Sequence, residues 1–169
     1  MHLIIDGYNI LNAWEDLKEI ALEDLDSARK KLIDILADYQ GFKKYKITVV
    51  FDAHQVKGAL LKSEMINGVE VIFTKEGETA DSFIERYVYE NAKNENIVVV
   101  TSDYLEQLII LGSGATRMPA RQFKLEVEKA RKELKRIQEM KIYSNKVEDQ
   151  LDERILKILD KLRGKVDSD

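Results

Sequence analysis

The chain has 169 residues and is 44% hydrophobic, which suits one globular domain, or one with an appendage, and excludes both a second full-sized domain and wholesale disorder. No apolar run approaches the roughly 18 residues of a membrane span, and the absence of Cys excludes a disulfide framework, a thiolate metal site and a cysteine nucleophile. With 27 Lys and Arg against 31 Asp and Glu, the net charge of -4 argues on its face against a polyanionic partner.

Short β-branched runs alternate with longer stretches of helical period. Leu3-Ile4-Ile5 reads as a first strand. Over residues 22–39, Leu25, Ala28, Leu32, Ile35, Leu36 and Tyr39 recur at three and four residues, which predicts an amphipathic helix ending near Gly41. Ile47-Thr48-Val49-Val50-Phe51 is apolar on both faces, as a central parallel strand must be. Val69-Glu70-Val71-Ile72-Phe73 follows the turn-forming Asn67-Gly68 and predicts another strand. Residues 79–92 are helical again, with Ala80, Phe83, Ile84, Tyr87 and Val88 on one side. Ile97-Val98-Val99-Val100-Thr101 is a further strand, and residues 103–111 form a short helix whose Asp103 and Glu106 fit a capping box. The last sheet element lies around residues 115–118, ahead of Pro119, the only proline.

From Ala120 onward the pattern is helical throughout. Phe123, Val127, Ala130, Leu134 and Ile137 mark one helix, and Val147, Leu151, Ile155, Ile158, Leu159 and Leu162 a second, with Asn145 between them. Alternating strands and helices imply right-handed crossovers and a parallel sheet covered on both faces, so the fold class is α/β. The net charge also divides here. Residues 1–120 carry 13 basic and 20 acidic side chains, whereas residues 121–165 carry 14 basic and 9 acidic. An acidic body with a basic helical tail fits a cation-binding acid cluster beside a polyanion-binding surface. The plainer alternative is a solvated charged helix.

In an open parallel sheet, ligands bind beyond the carboxyl ends of the strands, so the residues just after each apolar run are informative. Asp6, Asp52 and Asp103 follow three of those runs, and Asp81 lies in the first turn of the helix between strands. Carboxylates gathered at one rim repel one another unless a cation lies among them. Oxygen-only ligation, with just two His in the chain and no Cys, selects Mg²⁺ or Mn²⁺ over zinc, and the reaction class that follows is phosphoester hydrolysis. Each acid also has a bland reading: a loop residue or N-cap for Asp103, a dipole-favouring residue for Asp81. Asp52 beside a buried strand is costly without a partner. In Asp6-Gly7-Tyr8-Asn9-Ile10, Gly7 permits a tight departure from the strand and close approach to the backbone, and the Asn9 amide can orient Asp6, a water or a phosphate; the alternative is an ordinary Asx turn.

These motifs, Asp6-Gly7-Tyr8-Asn9 with Phe51-Asp52-Ala53, Thr79-Ala80-Asp81 and Thr101-Ser102-Asp103, resemble the NYN domains of the PIN-like nuclease superfamily, and most closely the bacterial YacP-type NYN ribonucleases. The resemblance covers residues 1–120, and the basic tail of residues 121–169 also looks like that subgroup. It implies a PIN-like three-layer fold, a central mostly parallel sheet flanked by helices, with a helical C-terminal extension. It further implies a Mg²⁺- or Mn²⁺-dependent endoribonuclease, with Asp6, Asp81 and Asp103 at the metal, Asp52 as a supporting acid and Asn9 as an orienting residue. Such enzymes cut a phosphodiester to leave a 5′-phosphate, and YacP-type proteins are associated with the ribosome and cleave messenger RNA during translation. The implied partners are therefore mRNA and the ribosome, with no membrane and no small-molecule organic cofactor. Many PIN domains use a Glu in the helix where Glu85 and Glu90 accompany Asp81 here.

Arg117, Arg121, Lys124, Arg131, Lys132, Lys135 and Arg136 supply a phosphate-binding set around Pro119. Tyr8 and Tyr104, each beside an acid, suit stacking on unpaired bases, with core-edge packing as the alternative. His54 reads as a loop histidine within reach of phosphate, Lys57 and Lys62 flank Gly58 in a substrate-facing loop, and Trp14 reads as core. The start Met1-His2-Leu3-Ile4-Ile5-Asp6 lacks the basic and apolar regions of an export signal, so the cytoplasm is the expected location. Two other classes compete. A non-catalytic RNA or ribosome adaptor keeps the fold and the tail. Phosphotransfer of the receiver or haloacid-dehalogenase type fits poorly, since position 8, where the latter needs a second acid, is Tyr8.

Overall fold

The structure is a computed structural model and describes residues 1–53, 61–102 and 114–163, with side chains described as far as Met140 and again at Ile155. Among these residues the elements run β1 (His2–Asp6), α1 (Gly7–Ala13), α2 (Glu15–Glu23), α3 (Leu25–Lys43), β2 (Lys46–Phe51), β3 (Lys62–Ile66), β4 (Val69–Phe73), α4 (Ala80–Asn91), β5 (Ile97–Val100), β6 (Thr116–Met118) and α5 (Ala120–Arg163). The six strands form one sheet in the order β3-β4-β2-β1-β5-β6. Only β3 runs antiparallel, to β4; every other pairing is parallel. The α/β fold with a mostly parallel sheet is therefore as expected.

Both faces of the sheet are covered, which is why the central strands are apolar throughout. On one face Leu3, Ile5, Val49, Phe51, Val71 and Val98 pack under α1, α2, α3 and the first turns of α5, with Trp14 and Phe123 in the same cluster. On the other, Ile4, Val50, Ile72 and Val99 pack under Ala80, Phe83, Ile84 and Val88 of α4. The alternation follows from the two-residue period of a strand. Trp14 is core, as expected, and its indole N–H donates to the Ala120 carbonyl at 3.0 Å. At the amino edge of the sheet, a polar row runs from half-buried Glu95 through buried His2 and Thr48 to half-buried Glu70, each step 2.8 Å.

Several elements differ from the expectation. The helix predicted over 22–39 begins only at Leu25, because Asp24 is extended and caps it through the Asp26 N–H, and Leu22 belongs to α2. It continues past Gly41 to Lys43 and ends on Lys44 in the left-handed region. Helices α1 and α2 were not expected at all. They are short and parted by an extended Trp14, so neither shows a long apolar stripe. Strand β3 was missed because its residues are mainly exposed and unpatterned. Its turn, Asn67-Gly68, has positive φ at both residues, 51° and 88°, the two-residue hairpin geometry that Asn-Gly favours.

The expected break at Asn145 does not occur, since α5 is continuous from Ala120 to Arg163. Asn is a mediocre helix former but tolerable mid-helix, and no Gly or Pro interrupts the run. Its buried stripe comprises Ala120, Phe123, Val127 and Ala130. Leu134 is half-buried, whereas the next residue of the stripe, Ile137, is 41% exposed. Met1–Arg131 makes one compact unit and the chain from Lys132 onward a second. Among the described residues, no helix is long and apolar enough to cross a membrane.

Candidate active site

The register places the chemistry at one edge. Asp6 pairs with Val50, and Phe51 pairs with Phe73, so Asp6, Asp52 and Thr74 come off three neighbouring strands at their carboxyl ends. Asp6 is 7% exposed. Its Oδ1 accepts the Asn9 N–H at 3.0 Å, which makes Asp6 the N-cap of α1 as well as the first rim acid. Burial pushes its carboxyl up to about 6; the Asn9 N–H opposes this, and the charges of Asp81 and Asp52 add to it. Among the described residues no ion pair offsets that charge. A charge kept out of water beside two like charges marks a candidate functional site.

Asp52 has partners that the sequence did not disclose. Its Oδ1 accepts the Ala80 N–H at 2.8 Å and the Thr74 hydroxyl at 3.4 Å. Fully buried Thr74 in turn accepts the Ala53 N–H at 3.1 Å. Asp52 and Thr74 therefore moor the first turn of α4, the turn that carries Asp81 into the field of Asp6. Thr79 completes the cap by accepting the Ser82 N–H. Beside it, nearly buried Glu78 pairs with Arg86. Thr74 follows β4 as Asp52 follows β2, so its place at the rim is legible in the sequence once hydroxyls are counted with the acids.

Asn9 ties a loop and a carboxylate together. Its backbone N–H holds Asp6, while its side-chain Oδ1 accepts the Ser102 N–H at 2.9 Å. The Ser102 hydroxyl accepts the Ala120 N–H at 3.2 Å. The end of β1, the end of β5 and the start of α5 are thus tied by two hydrogen bonds. Gly7 begins α1 immediately after β1, the tight departure expected of it. A Cβ there would lie 2.2 Å from Phe51 Cε1, so the Phe51 ring packs where a side chain at residue 7 would stand.

Asp103, Tyr104, His54, Lys57, Gly58 and the helix expected over 103–111 lie outside the described residues. Among the described residues no three His, Cys, Asp or Glu side chains form a metal-holding group. The described donors at the rim, Asp6 and Asp81, are carboxylates of the hard-cation type. Asp81 and Glu85 are half-buried and Glu90 is exposed. Lys62, expected in a loop, lies on β3 and pairs with Glu64.

The basic set is not uniform. Arg117 donates from Nε to the Thr101 carbonyl at 3.3 Å. Lys124 reaches Asp16 at 2.6 Å and lies over the Trp14 ring, and Arg131 is 3.9 Å from Asp38. Arg121, Lys132, Lys135 and Arg136 are exposed. Tyr8 is half-buried, edge-on against Phe51 at 5.4 Å.

Residues 3–164 match the model of the YacP-like NYN domain. The chain belongs to the YacP-like NYN domain family. It is 43% identical over 164 residues to the uncharacterized protein YacP of Bacillus subtilis (strain 168), covering 95% of each chain. The crystal structure of Rae1 (YacP) from Bacillus subtilis matches this NYN domain with a TM-score of 0.72 at 40% identity, covering 99% of this chain and 98% of the other. A point variant of the same protein matches with a TM-score of 0.68 at 41% identity over 80% of this chain and 79% of the other. Membership gives this NYN domain a nuclease-type, RNA-related character.

Proposed function

We propose that this chain is a Mg²⁺- or Mn²⁺-dependent endoribonuclease that hydrolyses phosphodiester bonds of mRNA, acting in the cytoplasm on RNA presented by the translating ribosome. The observation that carries this reading is Asp6, a nearly fully buried carboxylate at a strand end whose charge is held against burial and against Asp52 and Asp81. A fold that only displayed RNA would gain stability by replacing that charge. Asp6 and Asp81, with Asp103, are the residues that would hold the ion. A hard divalent ion supplies charge neutralisation and water activation for phosphodiester hydrolysis. The chain's own residues do the rest: Asn9 fixes the approach to residue 103 through Ser102, and Asp52 and Thr74 fix the turn bearing Asp81. Residues 1–120 form the catalytic part in this reading. Residues 121–169 form a binding extension whose exposed Arg121, Lys132, Lys135 and Arg136 suit phosphate oxygens.

The test is cleavage of a labelled mRNA by wild type and by Asp6→Asn/Asp81→Asn, with Mn²⁺ or EDTA, in purified and in translating reactions. Cutting that needs both metal and acids is expected, and stronger cutting during translation would support ribosomal presentation. RNA or ribosome binding with no acid-dependent cutting in either setting would overturn the nuclease in favour of the adaptor.

A further inference from the structure

Near the carboxylates, the same sheet edge carries an aromatic row. Strands β4, β2 and β1 are neighbours in that order. Phe73 ends β4 and Phe51 ends β2, with rings stacked at 5.6 Å, and Tyr8, two residues beyond the end of β1, meets Phe51 edge-on. Phe51 is fully buried and belongs to the face under α1 and α3, with Tyr8 and Phe73 packed against that cluster. Each ring is one or two residues from a rim residue: Tyr8 from Asp6, Phe51 from Asp52, Phe73 from Thr74. The missing Cβ of Gly7 lets this row close up.

Arg29 reaches this row from α3. Its guanidinium lies 6.0 Å from the centroid of Tyr8 and 5.9 Å from that of Phe73. Its Nε approaches the Leu25 carbonyl at 3.5 Å, and one terminal nitrogen pairs with Asp26 at 2.9 Å. That carboxylate is 75% exposed while the Arg29 side chain is 23% exposed, so the pair sits at the surface, where an ion pair contributes only about 0–1 kcal/mol. An arginine beside two rings and bonded to Leu25 and Asp26 has already given up part of its rotamer freedom, one of the costs of ordering it on a ligand. Its planar fork suits the paired oxygens of a phosphodiester. The rim carboxylates repel that same ligand, so a cation near them supplies what the rim lacks.

We propose that Arg29, beside Tyr8 and Phe73, is a phosphate-binding residue on the RNA path, taking a phosphodiester of single-stranded RNA next to the acidic rim in exchange for Asp26. This rests on the RNA-cleaving reading above and names a contact for its substrate.

The experiment titrates a fluorescein-labelled, unstructured RNA oligonucleotide against the full chain over a salt series, for wild type, Arg29→Gln, Arg29→Lys and Tyr8→Leu, with cleavage rates measured in parallel. Arg29→Gln should raise Kd and KM about five- to tenfold and leave kcat within about twofold. It should reduce the salt slope by about 0.7, the share of one phosphate on a single strand. Arg29→Lys should keep the slope and recover part of the affinity, and Tyr8→Leu should weaken binding with the slope unchanged. An unchanged slope and Kd in Arg29→Gln would make Arg29 a merely structural cap on the rings and overturn the inference, as would a wild type that binds no RNA. A salt slope that falls as expected in Arg29→Gln, with a wild type that binds but never cuts, would overturn the nuclease reading and leave the phosphate contact standing.

Discussion

Replacing Asp6 with Asn should stabilise the metal-free protein while abolishing its response to metal. The two side chains have the same shape, and the Asn carbonyl can still accept the Asn9 N–H that Asp6 Oδ1 holds at 3.0 Å. What changes is charge. Raising the Asp6 carboxyl from 3.8 to about 6 corresponds to about 3 kcal/mol against the ionised form. The folded state binds the proton more tightly than the unfolded chain. Stability attached to the protonated group is therefore fully present below about pH 4 and is lost as pH rises through about 6. Above pH 7 the wild type carries the whole penalty. The advantage of Asp6→Asn should be largest there, up to roughly 6–12 °C in Tm for a chain of this size, and should vanish near pH 4. Taking the difference between the two proteins at each pH cancels the groups that do not interact with Asp6, leaving Asp6 and its neighbours Asp52 and Asp81. Adding Mn²⁺ at pH 7.5 should raise the wild-type Tm and leave the variant unmoved. The measurement is thermal unfolding of both proteins from pH 4 to 8, with and without Mn²⁺. A variant that is less stable at pH 7.5, or a difference that does not shrink on acidification, would refute the argument that buried charge at Asp6 is held for function.

Gly7→Ala should destabilise by about 1–3 kcal/mol, the usual range for overpacking, because its Cβ would lie 2.2 Å from the Phe51 ring; urea unfolding checks this, and Phe51→Leu in the same chain should recover part of the loss. Thr74→Val keeps the shape but strips Asp52 and the Ala53 N–H of a buried partner, at a cost of about 1–3 kcal/mol, and kcat should fall along with Tm; Thr74→Ser should restore both. Neutralising Arg131, Lys132, Lys135 and Arg136 together should weaken RNA or ribosome binding and flatten its salt dependence, by up to about 3 in the log–log slope for single-stranded RNA. Arg131, already near Asp38, should matter least, and a slope that does not change would remove the tail from the binding surface.

Much of the architecture was legible because buried parallel strands must be apolar on both faces. Leu3-Ile4-Ile5, Ile47 to Phe51 and Ile97 to Val100 are short, β-branched and apolar as such strands are, and Ala80, Phe83, Ile84 and Val88 mark the buried side of α4 through their spacing. The residues after those strands point to the acidic edge without any coordinates, since side chains at the carboxyl ends of neighbouring strands have to converge. Strand β3 and helices α1 and α2 were not legible. An exposed edge strand needs no apolar pattern, and helices of seven and nine residues carry too few turns to show a period.

The partners at the site were decided by the tertiary structure alone. That Asp52 spends an oxygen on Ala80, that the Asn9 side chain reaches Ser102, that Gly7 yields to Phe51 and that Arg29 lies beside Tyr8 and Phe73 all depend on how separate strands and helices are set against one another. Periodicity along one segment reports which side of that segment is buried. It carries no information about which distant segment covers it, and a hydrogen bond formed within about an ångström depends on both.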